Sequence, residues 1–492
     1  MPKGGGSGGL RSLLAAGGLE WALILVAAGL VVTMVAASPQ GFTSDESWYL
    51  NQVGFVIQHG HGAAFLEHYR GSAGPLFVWF HAALLPLTSL DLPWVRMANV
   101  ALWLLTAGTL AGCACLLGWS RREGRRAALA MLVFAPIWKC VGLAYTEMAA
   151  VAAAVLALAI MALGRPGRHA RSMEGDSTRG RSYLGAGIVA VVAGSLISGA
   201  IMGRQPFLLL PLLVALIGLW AGPGWRYWLL VAGAAMPLPV TAFVIWGGLQ
   251  PPAYVNQPLN PHDGLGFVVL SAFYAGAVSL LLRPDWLLAW GRRSWRASWP
   301  WWLLCAFLAG CYVGLIGAPP VGTRLQGLVQ VWPWAELAIG MGVTVLGVAT
   351  LVRLAWNVRE AWQHPFTLLC VLAAGGFIAS HLAIGPVFSN RYMAIAAPFL
   401  ILAWGPDRRH GRYWAIGYLA AIAWGAFSLW GHLDGRQGPP FWDSEMEAFY
   451  PHLWEDVPGV FSDHQWQKFD YGNSPFLRDP LVGEPVLEPS GR

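Results

Sequence analysis

Long apolar runs alternate with short polar segments along most of the chain, and the first, at 19–38, reads LEWALILVAAGLVVTMVAAS. An α-helix rises 1.5 Å per residue, so about 20 such residues cross the hydrocarbon core of a bilayer. The runs are continuous, which predicts membrane helices and not the alternating strands of a membrane barrel. No small-residue cleavage site follows the first run, so we expect it to remain as a helix. The runs lie at 19–38, 74–90, 93–118, 127–143, 147–164, 183–203, 206–221, 227–248, 265–283, 300–317, 332–352, 365–386, 392–405 and 413–431.

Basic clusters between the runs predict their orientation, because Lys and Arg are enriched in cytoplasmic loops. If every run crossed the membrane, RREGRR at 121–126 would lie outside. The run at 74–90 is short, opens with Gly-Pro and contains His81 and Pro86, so we predict that it dips in from the outer side. About thirteen spans remain, and all basic clusters then lie inside. The other clusters are at 165–181, 291–296, 353–360 and 407–412.

The same orientation places a different set of polar segments outside. It combines isolated acids with isolated arginines, whereas the inner side is rich in arginine. The predicted outer segments are SDE at 44–46, YTE at 145–147, GRQP at 203–206, NQPLNPHD at 256–263, GTRLQ at 322–326 and SNRY at 389–392.

Composition agrees with a membrane protein, because the chain is 56% hydrophobic and 11% charged, whereas soluble domains carry about 25% charged residues. The predicted fold class is therefore an all-α integral membrane protein with about thirteen transmembrane helices plus juxtamembrane helices on the outer face. The six cysteines lie in or beside apolar runs and show neither a disulfide framework nor zinc spacing.

Three regions follow from this reading. Residues 1–18 form a cytoplasmic tail, and residues 19–431 form the membrane domain, with its first outer loop at 39–73. Residues 432–492 hold eleven of the 25 acidic residues and four of the 31 basic ones, among many aromatic residues. We expect an acidic, aromatic-rich extension on the outer side, and a loosely ordered tail is the alternative.

Two adjacent acids, Asp45 and Glu46, open the first outer loop directly after the first apolar run. One interpretation is structural: Ser44 caps a surface helix, and both acids lie in its first turn, where the helix dipole favours them. The functional interpretation is a carboxylate at the boundary of water and membrane that acts as a general base or metal ligand.

Glu147 begins an almost wholly apolar helix, where an ionisable group is a functional candidate, although helix capping by Thr146 is the alternative. Three lone arginines, Arg204, Arg324 and Arg391, lie at predicted outer helix ends. Each could reach lipid phosphates. Together with the acids they favour an anionic substrate, since a guanidinium binds phosphate in bidentate fashion.

Histidines at 59, 61 and 68 of the first loop are weak candidates for metal ligation, and surface or hydrogen-bonding roles are favoured. We find no P-loop, dinucleotide fingerprint, zinc motif or nucleophile elbow in the sequence.

The order of several motifs resembles the C-type membrane glycosyltransferases. These include protein O-mannosyltransferases, the aminoarabinose transferases of lipid A, and dolichyl-phosphate-dependent glucosyl- and mannosyltransferases. The motifs are DESWYL after the first helix, the Gly-Pro helix start of YRGSAGPLFVWF, the RMAN of PWVRMANVALWLL, and YTEMAA. The resemblance covers roughly 15–165, and GRQPFLLLP and SNRYMAIAAPF match it loosely.

The resemblance implies transfer of a hexose or pentose from an undecaprenyl or dolichyl phosphate donor to an acceptor hydroxyl. Asp45 would be the general base, and Glu46 and Glu147 would orient it. A divalent cation held by Asp45 and Glu147 is an open alternative, because some members of the group need a metal and others do not. Where many relatives carry aspartate in the second acidic motif, this chain carries Glu147.

Arg391 and Arg204 would hold the donor phosphate, with stabilisation of the charge that builds on the leaving group. Further candidates for substrate binding on the predicted outer side are Arg324, Tyr392 and Arg70. The expected partners are this lipid donor, a lipid, glycan or protein acceptor, and membrane lipids, with no nucleic acid.

Two other functions remain open. A transporter or flippase for an anionic or lipid-linked substrate would carry charges near the membrane midplane, whereas the acids here cluster at the outer rim. A polysaccharide polymerase or ligase would rely on a large late outer loop with arginines. The expected location is the bacterial inner membrane, with the active site on the periplasmic side.

Overall fold

The computed structural model describes residues 17–39, 46, 49–50, 52–69, 71–164, 179–220, 224–251, 261–288, 299–316, 333–383, 389–407 and 413–433. Within these ranges every regular element is a helix, so the predicted all-α fold is confirmed. Three short 3-10 helices lie at Gln205–Leu208, Ser380–Ala383 and Asn390–Ala394. The α-helices are α1 (Leu19–Ala36), α2 (Val53–His59), α3 (Ala63–His68), α4 (Leu76–Thr88), α5 (Trp94–Leu116), α6 (Arg121–Leu132), α7 (Ala135–Gly142), α8 (Glu147–Leu163), α9 (Arg179–Gly203), α10 (Leu209–Trp220), α11 (Trp225–Ala234), α12 (Pro237–Trp246), α13 (Pro261–Leu282), α14 (Pro284–Leu288), α15 (Trp299–Ile316), α16 (Pro333–Ala361), α17 (Pro365–Ala379), α18 (Ala397–Ala403) and α19 (Tyr413–Leu433).

The number of spans differs from the thirteen that the sequence predicts, and that count is not confirmed. The described residues hold nine helices that are long and apolar enough to cross a membrane, or ten if α7 and α8 form one bent span. The predicted run at 127–143 is divided between α6 and α7, and the run at 392–405 contains a 3-10 turn and the seven-residue α18. Helix α4 has 13 residues, fewer than a span needs, in agreement with a segment that does not cross.

The ends that the sequence assigns to the inner side lie together. Glu20, at the start of α1, accepts hydrogen bonds from Arg122 (2.8 Å) and Arg126 (3.3 Å) of the RREGRR cluster. Arg126 also pairs with Asp407 (3.6 Å) and lies over the ring of Trp414. Three segments that are distant in the chain therefore meet at one end of the helix bundle, as positive-inside orientation requires.

The ends assigned to the outer side also lie together. Ser38 Oγ, after α1, donates to the carbonyl of Leu433 at the end of α19 (3.0 Å). The first-loop helices α2 and α3 pack through Phe55 and Phe65 into a cluster of buried residues with α4. Trp246 Nε1, at the end of α12, donates to the Leu66 carbonyl (2.9 Å). Helices α2 and α3 of this loop therefore cover part of the outer end of the bundle.

The helix pair α8 and α9 comes close because its contact is made of small residues. A Cβ at Gly203 would lie 2.6 Å from the Cβ of Ala150, so only glycine fits there. Small residues of this kind let membrane helices pack backbone to backbone. The approach brings the end of α9 beside the start of α8, which is where the candidate site forms.

The described ranges exclude residues 1–16 and 434–492. The division into an inner tail, a membrane domain and an acidic outer extension therefore stays a prediction.

Candidate functional site

The start of α8 is set by a sharp turn in the chain. Helices α7 and α8 are bent by 117° at the four residues 143–146 between them. Thr146 precedes α8, but its side chain makes no capping hydrogen bond, and its hydroxyl is buried without a partner among the described residues. The capping alternative therefore does not explain why Glu147 stands at this position.

Asn99, on α5, stabilises the turn through its side-chain amide. Its side-chain amide donates to the carbonyls of Cys140 (3.2 Å), Leu143 (3.2 Å) and Tyr145 (3.1 Å). Carbonyls at the end of a helix lack partners within that helix. One buried amide thus bonds to a carbonyl at the end of α7 and to two carbonyls of the turn, which helps to fix the direction in which the chain enters α8.

Glu46, in the first loop, stabilises the same turn through its carboxylate. Its Oε1 accepts the backbone N–H of Ala144 (2.7 Å). Both oxygens are also bound by Arg96, whose Nε lies 2.8 Å from Oε1 and whose Nη2 lies 2.7 Å from Oε2. Glu46 is 0% exposed and Arg96 is 1% exposed. Through these bonds Glu46 joins the first loop to α5 and to the 143–146 turn. Its carboxylate therefore holds these segments in position.

Glu147 faces two arginines. Its Oε1 is bound by Nη2 of Arg204 and lies 3.5 Å from Nε of Arg391. The carboxylate is 0% exposed, and the two arginine side chains are 13% and 14% exposed. Glu147 Oε2 is buried, with no hydrogen-bond partner in the part of the chain that the structure describes. One carboxylate therefore faces two guanidinium groups, which come from two different segments of the chain.

Burial and charge act in opposite directions on Arg204. Burial alone would lower the pKa of its guanidinium, but the charge of Glu147 raises it, and the net pKa lies above the ordinary value. Arg204 is accordingly a permanent positive charge at the end of α9.

Aromatic rings orient both arginines. The guanidinium carbon of Arg391 lies 4.5 Å from the ring centre of Tyr145 and 5.3 Å from that of Tyr392. Arg204 lies 5.5 Å from the same ring of Tyr392. A cation over an aromatic face is attracted by the ring quadrupole, so Tyr392 spaces two like charges that would otherwise repel each other.

The backbone that carries each arginine is fixed by neighbouring elements. Gln205, next to Arg204, donates its side-chain amide to the Ser72 carbonyl (3.0 Å) in the loop before α4. A Cβ at Gly74 of that loop would meet the carbonyl oxygen of Met202 at 2.2 Å. The Arg391 carbonyl accepts the thiol of Cys140 (3.6 Å), which joins the Asn390–Ala394 turn to α7.

The structure thus brings together Glu46, Glu147, Arg204, Arg391 and Tyr392, which come from four separate predicted outer segments. The candidates Asp45, Arg70 and Arg324 lie outside the described residues, so their roles stay predictions.

Three further residues shape the site and were not among the predicted ones: Arg96, Asn99 and Tyr145. A signal for two of them existed in the sequence. Arg96 and Asn99 are three positions apart near the outer end of an apolar helix, so they lie on one helix face. A lone arginine in such a helix needs a buried acid, and Glu46 supplies it.

The first-loop histidines do not form a metal site in the structure. The rings of His59 and His68 stack at 4.1 Å between centres and 9° between planes. His68 Nδ1 also lies 2.7 Å from the Ala64 carbonyl. Face-to-face rings direct their nitrogens side by side and not toward a shared ion.

The surroundings of Glu147 do not fit a divalent cation either. In the described ranges no group of three or more His, Cys, Asp or Glu side chains could hold a metal. Two guanidinium groups on one oxygen of Glu147 would also repel a cation at this position. No chemical step is therefore derived through a metal, and Asp45, the other predicted ligand, lies outside the described residues.

Comparison with known proteins gives structural likeness alone. No protein-family model and no curated protein matches the chain. Among solved structures, the chain is similar to the archaeal oligosaccharyltransferase AglB from Archaeoglobus fulgidus in complex with an inhibitory peptide and a dolichol-phosphate. This match has 13% identity, a TM-score of 0.45 and covers 96% of this chain and 61% of that one.

A second similar structure is ArnT from Cupriavidus metallidurans bound to undecaprenyl phosphate, at 13% identity and a TM-score of 0.39, covering 84% of this chain and 78% of that one. At these identities and TM-scores the likeness by itself assigns neither family nor activity.

Proposed function

We propose that the chain is a membrane glycosyltransferase that moves a sugar from a polyprenyl phosphate to an acceptor hydroxyl at the outer face of the bacterial inner membrane. The observation that carries the proposal is the cluster of Glu147, Arg204 and Arg391. It places two guanidinium groups, which bind phosphate well, at the outer end of a bundle of apolar helices. A lipid-linked phosphate needs that combination, since its chain lies in the membrane and its charge lies at the boundary with water.

The proposed reaction is a displacement at C1 of the sugar that uses these groups. The acceptor oxygen forms a bond to C1 of the sugar while the bond from C1 to the phosphate oxygen breaks. The acceptor proton passes to the carboxylate of Asp45, the acid that precedes Glu46 in the chain. The polyprenyl phosphate leaves with the electron pair of the broken bond, and Arg204 and Arg391 stabilise the added negative charge.

Glu46 supports the assignment of the base to Asp45. Both oxygens of Glu46 are bound by Arg96, and one also accepts the N–H of Ala144. Glu46 is also 0% exposed, so its oxygens are engaged inside the protein and do not face an incoming acceptor. Of the two adjacent acids, the proposal therefore gives proton transfer to Asp45 and positioning to Glu46.

The distribution of buried charge favours an enzyme over a transporter or flippase. Several buried charges in the described residues lie near helix ends, and the buried Lys139 lies within α7. Glu20, Arg126 and Asp407 are at the inner ends of helices, while Glu46 and Glu147 are at the outer ends. A transporter would be expected to place charged or broken elements near the midplane. The outer residues alone would take part in the proposed transfer.

The decisive experiment compares Asp45→Asn with Glu67→Gln, a matched control that neutralises an exposed acid of the same loop. Each variant is returned to a deletion strain, and envelope lipids and glycans are profiled by mass spectrometry. We expect Asp45→Asn to lower sugar transfer by about 10²–10⁴, the usual contribution of a general base, and Glu67→Gln to restore it fully. Full restoration by Asp45→Asn would overturn the catalytic assignment.

A second arm tests donor binding directly. Purified wild type is titrated with undecaprenyl phosphate, and we expect saturable binding that Arg391→Ala weakens and Asp45→Asn leaves intact. Absence of saturable binding to the wild type would contradict the proposed donor.

A further inference from the structure

A cavity lies on the opposite side of the molecule from the candidate site, at the C-terminal end of α16. Its volume is about 640 Å³. One part of its wall is apolar and the other part is polar. The cavity is lined by Ala355, Val358, Arg359, Glu360, Trp362 and Gln363.

Its position marks the inner boundary of the membrane. The ring of Trp362 packs edge to face against Trp220, at the end of α10, with ring centres 4.6 Å apart. Both helix ends belong to the inner side in the predicted orientation, and tryptophans are enriched at the level of lipid headgroups. The cavity therefore opens where the headgroups of the inner leaflet lie.

The charges around the cavity do not cancel. Glu360 accepts a hydrogen bond from Trp356 Nε1 (2.9 Å) and pairs with Arg353 (3.6 Å), which is buried. Arg359 lies 5.7 Å from the ring centre of Trp356 and has no carboxylate partner in the part of the chain that the structure describes. Since Glu360 is neutralised by Arg353, Arg359 leaves the cavity with excess positive charge.

We propose that this cavity binds one anionic phospholipid of the inner leaflet. The phosphate contacts the guanidinium of Arg359 and the side-chain amide of Gln363, and an acyl chain lies along Ala355 and Val358. Charge complementarity supports this occupant, because the inner leaflet is anionic and basic side chains at that membrane surface attract its lipid headgroups. The apolar wall favours a lipid over a free phosphate ion. The site is independent of the proposed sugar transfer.

The test measures lipids retained by the purified full-length protein in native mass spectrometry. The protein is transferred from a mixture of phosphatidylglycerol and phosphatidylcholine. Arg359→Gln removes the proposed phosphate ligand. Arg226→Gln is the matched control, since Arg226 also lies at an inner helix end over a tryptophan, with its guanidinium carbon 5.4 Å from the ring centre of Trp225.

We expect wild type and Arg226→Gln to retain phosphatidylglycerol preferentially, and Arg359→Gln to lose about fivefold in that preference. Ala355→Trp, which fills the apolar part of the cavity, should lower retention of the same lipid without a change in charge. Equal retention by Arg359→Gln and wild type would overturn the proposal. So would displacement of the lipid by inorganic phosphate alone, which would indicate a free-anion site, or a preference for undecaprenyl phosphate over phosphatidylglycerol.

Discussion

The ion pair between Glu46 and Arg96 gives the sharpest test of how the site is held. Both side chains are buried, at 0% and 1% exposure, and two hydrogen bonds of 2.8 and 2.7 Å join them. Arg96→Met removes one partner and leaves a buried carboxylate with the N–H of Ala144 among its donors. Breaking one side of such a pair costs about 3–5 kcal/mol of folding stability.

Glu46→Gln leaves the opposite defect, a buried guanidinium without its carboxylate, and we expect a loss of similar size. The double variant, Glu46→Gln with Arg96→Met, removes both charges. The amide oxygen of glutamine still accepts the N–H of Ala144, and the remaining cost is one unsatisfied amide, about 1–3 kcal/mol. The double variant should therefore be more stable than either single variant.

The assay is unfolding of the purified protein in lipid nanodiscs, followed for the four proteins of this double-mutant cycle. Distances between the partners are short enough for strong coupling. Additive losses in the double variant would refute the reasoning, because they would mean that the two charges do not depend on each other. Recovery of sugar transfer together with stability would assign Glu46 to positioning. Stability without transfer would assign it to the chemistry.

Other predictions concern the cluster around Glu147. Arg391→Ala should weaken undecaprenyl phosphate binding about tenfold or more, because a hydrogen bond to a charged group is worth about 1.5–3 kcal/mol; calorimetric titration measures it, and unchanged affinity would contradict the role. Glu147→Gln should lower stability while raising phosphate affinity, since both arginines lose their internal anion, and thermal unfolding with and without undecaprenyl phosphate shows whether both changes occur. Gly203→Leu should push α9 away from Ala150 and lower the free energy of unfolding by about 1–3 kcal/mol. It should also reduce sugar transfer more than the control Gly185→Leu, where the added Cβ meets no neighbour among the described residues. The pKa of Arg204 is raised, so its contribution to stability is complete below its unfolded pKa and is lost only above its folded pKa. Its contribution to phosphate binding should stay constant from pH 6 to 9, and a titration in that range attributable to Arg204 would contradict this.

The sequence predicted which residues form the site better than it predicted the contacts between their side chains. Sidedness follows from arginine counts in the loops, so membrane orientation alone places Glu147, Arg204 and Arg391 on one face. The pairing of Glu46 with Arg96 could not be derived. The sequence places Arg96 and Asn99 on one face of α5, but it does not show which residue of the first loop lies against that face.

Two of the predicted runs are divided in the structure, for a physical reason. Residues 127–143 read as one apolar run, but the chain leaves helical geometry between Leu132 and Ala135, ahead of Pro136 near the start of α7. Residues 392–405 begin in a 3-10 turn and continue with Pro398 at the start of α18. Proline is tolerated at a helix start and disfavours helical geometry just before it, so an apolar run that hydropathy reads as one helix can be divided at such a start.

The bend between α7 and α8 determines where Glu147 lies in the candidate site. A straight helix through residues 135–163 would satisfy its own carbonyls and would place Glu147 in the middle of the membrane, where a charge is costly. The break at 143–146 instead exposes carbonyls that Asn99 satisfies, and it presents an N–H that Glu46 accepts. In exchange, Glu147 reaches the outer end of the bundle beside Arg204 and Arg391. An irregular turn is tolerated where its backbone groups find partners inside the protein, and here Asn99 and Glu46 are those partners.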